Sequence, residues 1–183
     1  MIVEIILILL CIILFFCFLY ERDKKKDYMN RYDAETLELE ESNQMMDSIF
    51  CNVHAYILLI DDDFVVLKTN YYLLTDTIAS FDKKRVGDLL KCHNAMCAIG
   101  GCGTGDFCKR CSIRAAIQHA FDTSSNFTNL EDSLEVMNDD DTSLKIDASI
   151  SGRYFMFDDK PRMVLTVQDI TELKKAKMLQ SNT

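Results

Sequence analysis

Tyr154-Phe155-Met156-Phe157-Asp158-Asp159-Lys160-Pro161-Arg162-Met163-Val164-Leu165-Thr166-Val167-Gln168-Asp169-Ile170-Thr171-Glu172 is the stretch that decides the fold. Two β-rich runs, 154–157 and 163–167, flank an acidic turn that carries the chain's one proline. That pattern predicts an antiparallel hairpin. Just upstream, Leu144, Ile146, Ala148 and Ile150 alternate with polar residues across 143–152, the period of a half-buried strand. Residues 138–141, Asn-Asp-Asp-Asp, read as a turn, and 128–137 carries Leu130, Leu134 and Val136 as a further strand. Downstream, Thr171 is placed to cap a terminal helix.

Toward the N-terminus, the apolar run 55–60 stops at Asp61-Asp62-Asp63 and resumes as Phe64-Val65-Val66-Leu67-Lys68-Thr69. Two such runs around an acidic turn predict a second hairpin. Residues 71–79 read as a short helix. Val86-Gly87-Asp88-Leu89-Leu90 leads into a cysteine-rich segment, and 112–121 has helical spacing at Ile113, Ala116, Ile117 and Ala120. Two strands, short helices, a longer helix, three antiparallel strands and a terminal helix make an α+β domain. The expected architecture is a five-stranded antiparallel sheet with helices on one side.

The first 20 residues are of another kind. They are almost wholly apolar, interrupted by Glu4, and end at Tyr20. About 20 helical residues at 1.5 Å each cross a bilayer core. The run is longer than a signal peptide's apolar region, lacks a basic start and is followed by no small-residue cleavage site. The basic knot Arg22, Lys24, Lys25 and Lys26 places the following chain on the cytoplasmic side. A single-pass anchor in the cytoplasmic membrane, with a cytosolic C-terminal domain, is therefore expected. In a reducing cytosol, structural disulfides are disfavoured. Cys11 and Cys17 read as packing residues of the anchor, and Cys51 as a small core hydrophobe.

Residues 21–48 contain neither proline nor glycine and read as a helical connector. Leu37, Leu39, Met45, Met46, Ile49 and Phe50 form an incomplete apolar stripe without a sustained heptad. The stripe admits either a dimer through this helix or a plain solvated spacer. The expected organisation is anchor 1–20, connector 21–48, one domain over 49–173 with a cysteine-rich insert at 87–117, and a helical stub at 174–183. The net charge of -9 disfavours nucleic acid, whose phosphates would repel it.

Several of these pieces resemble the PAS family of sensor domains. Tyr56-Ile57-Leu58-Leu59-Ile60-Asp61 with Val65-Val66-Leu67 is similar to the family's opening hairpin, and Asn70 stands where the family often enters its first short helix. Val164 to Glu172 resembles its closing strand and the Asp-Ile-Thr-Glu exit into a signalling helix. The likeness spans roughly residues 45–175. The run from Gly87 through Ile117 further resembles a cysteine-bearing subset of bacterial PAS sensors, often joined to histidine kinases. By that resemblance Cys92, Cys102, Cys108 and Cys111 are the matching thiols, and Cys97 is extra. The resemblance implies pairing with a second PAS domain or copy of the chain. Since the sequence ends at Thr183, a separate histidine kinase or response regulator is expected to receive the signal.

Five cysteines within twenty residues, with four glycines among them, suggest a metal or redox site. Four thiolates suit tetrahedral zinc or an iron–sulfur cluster equally. Cys108 and Cys111 precede a predicted helix whose dipole favours thiolate, reinforced by Lys109 and Arg110. His93 is an alternative ligand or a neighbour of the site; His54 and His119 have no ligand context. Unligated thiols with an occasional disulfide are the bland alternative. One Cys-x-x-Cys is no zinc ribbon, and Ser112 after Cys111 excludes c-type haem attachment. No phosphate loop, nucleophile elbow or kinase signature is present, so no enzyme is expected. The function expected is a sensor module with a four-cysteine metal or redox site and an unknown small-molecule ligand. The rivals are a metal-stapled docking scaffold at the membrane and a Cys108/Cys111 oxidoreductase, the latter without a thioredoxin-like βαβ setting.

Overall fold

The computed structural model describes residues 2–71, 83–138, 140 and 142–181, with side chains from Phe15 onward. In chain order these form helix α1 (Ile2–Asn52), strands β1 (Tyr56–Asp61) and β2 (Val66–Thr69), and short helices α2 (Val86–Leu89) and α3 (His93–Met96). A 3-10 turn (Phe107–Arg110), helix α4 (Ser112–Thr123), strands β3 (Phe127–Met137), β4 (Ser143–Phe157) and β5 (Lys160–Asp169), and helix α5 (Thr171–Ser181) follow. Beyond Tyr71, the helix expected over 71–79 lies outside the described residues, as do Asp139 and Asp141.

Met1–Ser48 and Ile49–Thr183 are separate compact units. The first is helical from Ile2, and its Leu37, Leu39, Met45 and Met46 are exposed. Among the described residues no helix is long and apolar enough to cross a membrane. The side chains of residues 1–14, most of the expected anchor, lie outside those described. Cys51 is exposed, not a core residue. Helix α1 continues through it to Asn52, so Cys51 sits on a helix flank instead of opening the apolar strand run.

In the second unit the sheet order is β2-β1-β5-β4-β3, all neighbours antiparallel. The α+β class, the five strands and both expected hairpins are present. Leu58, Ile60, Val66, Ala148, Ile150, Met163, Leu165 and Val167 project from the sheet into one core, each 4% exposed or less. Ile113, Ile117 and Ala120 of α4 close over them. Fully burying a side chain of the Leu or Ile class stabilises by roughly 1.5–3 kcal/mol.

The sequence divides 143–157 at Gly152, whereas the structure has a single 15-residue strand. Gly152 makes room instead of ending the strand: a side chain there would run into the Phe127 ring. At the hairpin tip, Asp158 and Asp159 both take positive φ, 50° and 54°, between the paired Phe157 and Lys160. This is the backbone of a two-residue type I′ turn, which aspartate tolerates better than most residues.

Two polar residues do structural work that composition alone hides. Asn70, 1% exposed, accepts a hydrogen bond from the Ile57 N–H (2.7 Å) and donates to the Ala55 (3.0 Å) and Phe50 (3.3 Å) carbonyls. It thereby stitches the end of α1 to β1. Asp61 is more than a solvated turn residue, because its carboxylate accepts the N–H groups of Asp63 and Val65.

Thr171 does not cap α5 with its own hydroxyl. The Asp169 carboxylate accepts both the Thr171 N–H (2.8 Å) and its hydroxyl proton (2.6 Å). The Thr171 oxygen in turn accepts the Asp147 N–H (2.9 Å) from β4. A hydroxyl can donate once and still accept, so Thr171 links the helix start to the sheet. Lys174 adds ion pairs to Glu131 (3.0 Å) and Asp147 (3.5 Å).

Candidate functional site

Between the inner face of the sheet and α4 lies a cavity of about 510 Å³. Ile150, Leu165 and Val167 form its floor, Ile113 and Ile117 one wall, and the segment 86–111 the other. This volume falls within the range of small-molecule sites, roughly 300–1,000 Å³.

The segment holds its course with little regular structure, and Asp88 explains how. The Asp88 carboxylate accepts the N–H groups of Cys102 (2.6 Å) and Arg85 (3.2 Å). One side chain thus caps α2 and anchors the glycine-bearing turn fourteen residues later. Gly101 is required there: its φ is +75°, and a Cβ would press on the Asp88 carboxylate. Arg85 completes the clasp by donating to the Cys102 carbonyl (3.0 Å). On the other side, Cys92 bridges to Val136 of β3, and the Met137 N–H donates to the Lys91 carbonyl (2.8 Å).

The consequence is a convergence of thiols. Cys92 precedes α3, Cys102 lies in the glycine turn, Cys108 is buried in the 3-10 turn, and Cys111 precedes α4. All four line the one cavity. Cys111 caps α4, its sulfur accepting the Arg114 N–H at 3.5 Å. Cys97 is exposed and outside the lining, where its sulfur meets His93 Nε2 at 3.7 Å. His93 Nδ1 faces the Met137 sulfur (3.2 Å), so neither His93 nor Cys97 joins the other thiols. His54 and His119 are exposed and do not line the cavity.

The thiol shifts that are resolved, at Cys102 and Cys92, run upward. Burial pushes Cys102 up to about 11, and the nearby Asp88 carboxylate and the Cys108 and Cys92 thiols add to this. Burial likewise raises Cys92, opposed by backbone N–H groups at Ala95 and Asn94, while Cys111 and Cys108 push it further up. Lys109, beside these thiols in the chain, is paired with Asp106 at 2.8 Å. Four mutually repelling thiolates are disfavoured together unless a cation joins them. The donor set suits a soft metal. Yet no group of three or more His, Cys, Asp or Glu among the described residues is arranged to hold a metal ion. The four thiols share a lining without being drawn together into a preassembled metal site among the described residues.

Two further residues of the cavity, Phe64 and Arg114, belong to no sequence motif. Phe64 is 3% exposed and takes φ 65°, a backbone region costly for a bulky residue. It fills the left-handed position that closes the β1–β2 turn, where glycine is usual. Its ring stacks on Phe121 and lies beneath the Arg114 guanidinium, 4.5 Å from ring centre to Cζ. Arg114 in turn packs over Gly103, whose φ is +90° and whose Cβ would collide with the guanidinium. A single signal in sequence points to Arg114: a charged residue beside the apolar stripe Ile113, Ile117 and Ala120.

No protein-family model matches the chain, and no curated protein matches it in sequence. Several solved structures are similar in chain course. The PAS domain of an HTR-like protein from Haloarcula marismortui is 12% identical with a TM-score of 0.45, over 75% of this chain and 99% of that one. A PAS domain from a two-component sensor histidine kinase is 10% identical with a TM-score of 0.45, over 71% and 97%. The Escherichia coli DhaR(N)–DhaL complex contains a chain 11% identical with a TM-score of 0.45, over 74% of this chain but 38% of that one.

Proposed function

We propose that the chain is a PAS-type sensor module, anchored in the cytoplasmic membrane by its first 20 residues. It acts by binding and signalling, not by catalysis. The observation that carries this reading is the convergence of Cys92, Cys102, Cys108 and Cys111, from four separate short turns, on one cavity over the sheet. Such thiols answer to a soft metal or to an oxidant. Zinc or an iron–sulfur cluster would be held by these four sulfurs and would neutralise thiolates that otherwise repel one another. Gain or loss of that group would shift Cys111, the cap of α4, and with it the wall of the core. The path outward runs through β4 and β5 to Thr171 and Asp169, which tie α5 to the sheet. A second copy of the chain, and a separate histidine kinase or response regulator, are the partners proposed to receive the change.

The test is anaerobic purification of the full chain in detergent, followed by elemental analysis and a visible spectrum. A brown protein absorbing near about 400 nm indicates an iron–sulfur cluster, and a colourless one with about one zinc per chain indicates zinc. Zinc that persists unchanged through oxidation favours the docking scaffold. Absence of both metals, with no conformational change when the four cysteines are replaced by serine, overturns the thiol-based reading.

A further inference from the structure

The thiols occupy one wall of the cavity, and Arg114 supplies a different chemistry in the same space. Arg114 lines the cavity, and its Nη1 is buried with no hydrogen-bond partner among the described residues. A buried guanidinium proton without an acceptor is costly. No carboxylate among the described residues hydrogen-bonds to it. Asp88 is turned to the Arg85 and Cys102 N–H groups, Asp132 holds the Ser112 hydroxyl, and Glu135 accepts from Ser143. The guanidinium lies over the Phe64 ring, which supports it from one side. Phe64 adopts its strained backbone at this point, and Gly103 lacks the side chain that would displace the arginine. Leu134, Val136, Ile150, Leu165, Ile113 and Ile117 give the cavity an aliphatic face, while Asp132, Glu135 and Arg110 are among its polar lining.

We infer that the cavity binds a small amphipathic carboxylate, its anionic head on Arg114 and its apolar body on the sheet. An arginine fork matches a carboxylate with two parallel hydrogen bonds, and the apolar walls accept an aryl or alkyl tail. The volume of about 510 Å³ admits a body of one or two rings. The inference rests on the reading of this domain as a sensor whose cavity receives the signal, and it names the class of molecule received.

The test uses the full chain in detergent micelles, with thiols reduced and metal removed by chelator, so that the sulfur chemistry is silent. The probes are 3-phenylpropionate and octanoate, each paired with its neutral amide, titrated by calorimetry. The expected result is that an acid binds about 10- to 100-fold more tightly than its amide, the scale of hydrogen bonds to a charged group. R114Q is expected to remove that preference and R114K to keep part of it. Circular dichroism confirms that each variant folds. If R114Q does not fold, the acid-to-amide ratio on the unaltered chain and on R114K decides. Equal binding of acid and amide overturns the assigned ligand class while leaving a sensory cavity in place. No binding of either acid at millimolar concentration overturns the inference outright. The sensor reading itself is then judged separately, by the metal and oxidation measurements above.

Discussion

The β4–β5 hairpin and the segment 85–111 face the same cavity, and they are held in opposite ways. From Ala148 to Phe157, β4 pairs residue for residue with Lys160 to Asp169, and alternate side chains enter the core. Many equivalent backbone bonds share the load, so no single polar side chain is indispensable. The segment 85–111 has only isolated bridges to strands, Val65 to Arg85 and Cys92 to Val136. Its course depends on a few specific contacts: the Asp88 carboxylate, the Arg85 clasp and glycines at positive φ. A repetitive element makes a rigid floor, and a sparsely tied element makes a wall whose local opening breaks few contacts.

The sharpest way to break this contrast is to damage the floor. Ile150→Ala removes a side chain with no exposed surface and is expected to lower unfolding free energy by about 3 kcal/mol, read from urea denaturation of the full chain. A loss below about 1 kcal/mol would show that the sheet is not the main source of stability.

The next test reads the wall through its thiols. With Cys102 raised to about 11 from an ordinary value of 9.0, its thiolate fraction at pH 8 falls about 100-fold below that of the denatured chain. Iodoacetamide should therefore label Cys102 slowly in the native protein and accelerate as pH rises toward 11. The native form holds the proton more tightly, so this group's contribution to stability is complete below pH 9 and is lost as pH climbs to about 11. Equal labelling of native and denatured protein at pH 8 would place Cys102 in solvent.

Asp88→Asn tests the clasp. It keeps the shape but replaces a charged acceptor of two N–H groups, and a loss of about 2 kcal/mol is expected, with faster Cys102 labelling and amide exchange across 85–111. Unchanged exchange there would mean that the wall is held by something other than Asp88. The smallest effect is expected at the exit. Thr171→Val removes the acceptor of the Asp147 N–H and should cost about 1 kcal/mol, with exchange rising at the start of α5 while the β4–β5 ladder stays protected.

The hairpins, α4 and the α+β class are legible because their signals are local. Alternation at 144–150, aspartates at 158 and 159, and the 113/117/120 spacing each state a period that the backbone must follow. Gly152 misleads as a strand break because its reason is the Phe127 ring, a residue distant in sequence. Cys51 misleads because apolar character says nothing of which flank of α1 it occupies. The density of thiols is visible in sequence. Which of them share a cavity is not, since Cys97 lies as close in the chain as Cys92 or Cys102 yet stands outside the lining.

By itself the sequence determined the strand and helix periods, the acidic turns, the apolar first 20 residues and the clustering of cysteines between α2 and α4. Each follows from side-chain chemistry acting within a few residues. Only the tertiary structure decided that Asp88 clasps Cys102 fourteen residues away, that Thr171 joins α5 to the sheet, and that Phe64 and Arg114 meet over the cavity. Those contacts bring together groups far apart in the chain. Their positions are set by how the sheet and α4 pack, not by any pattern readable along the sequence.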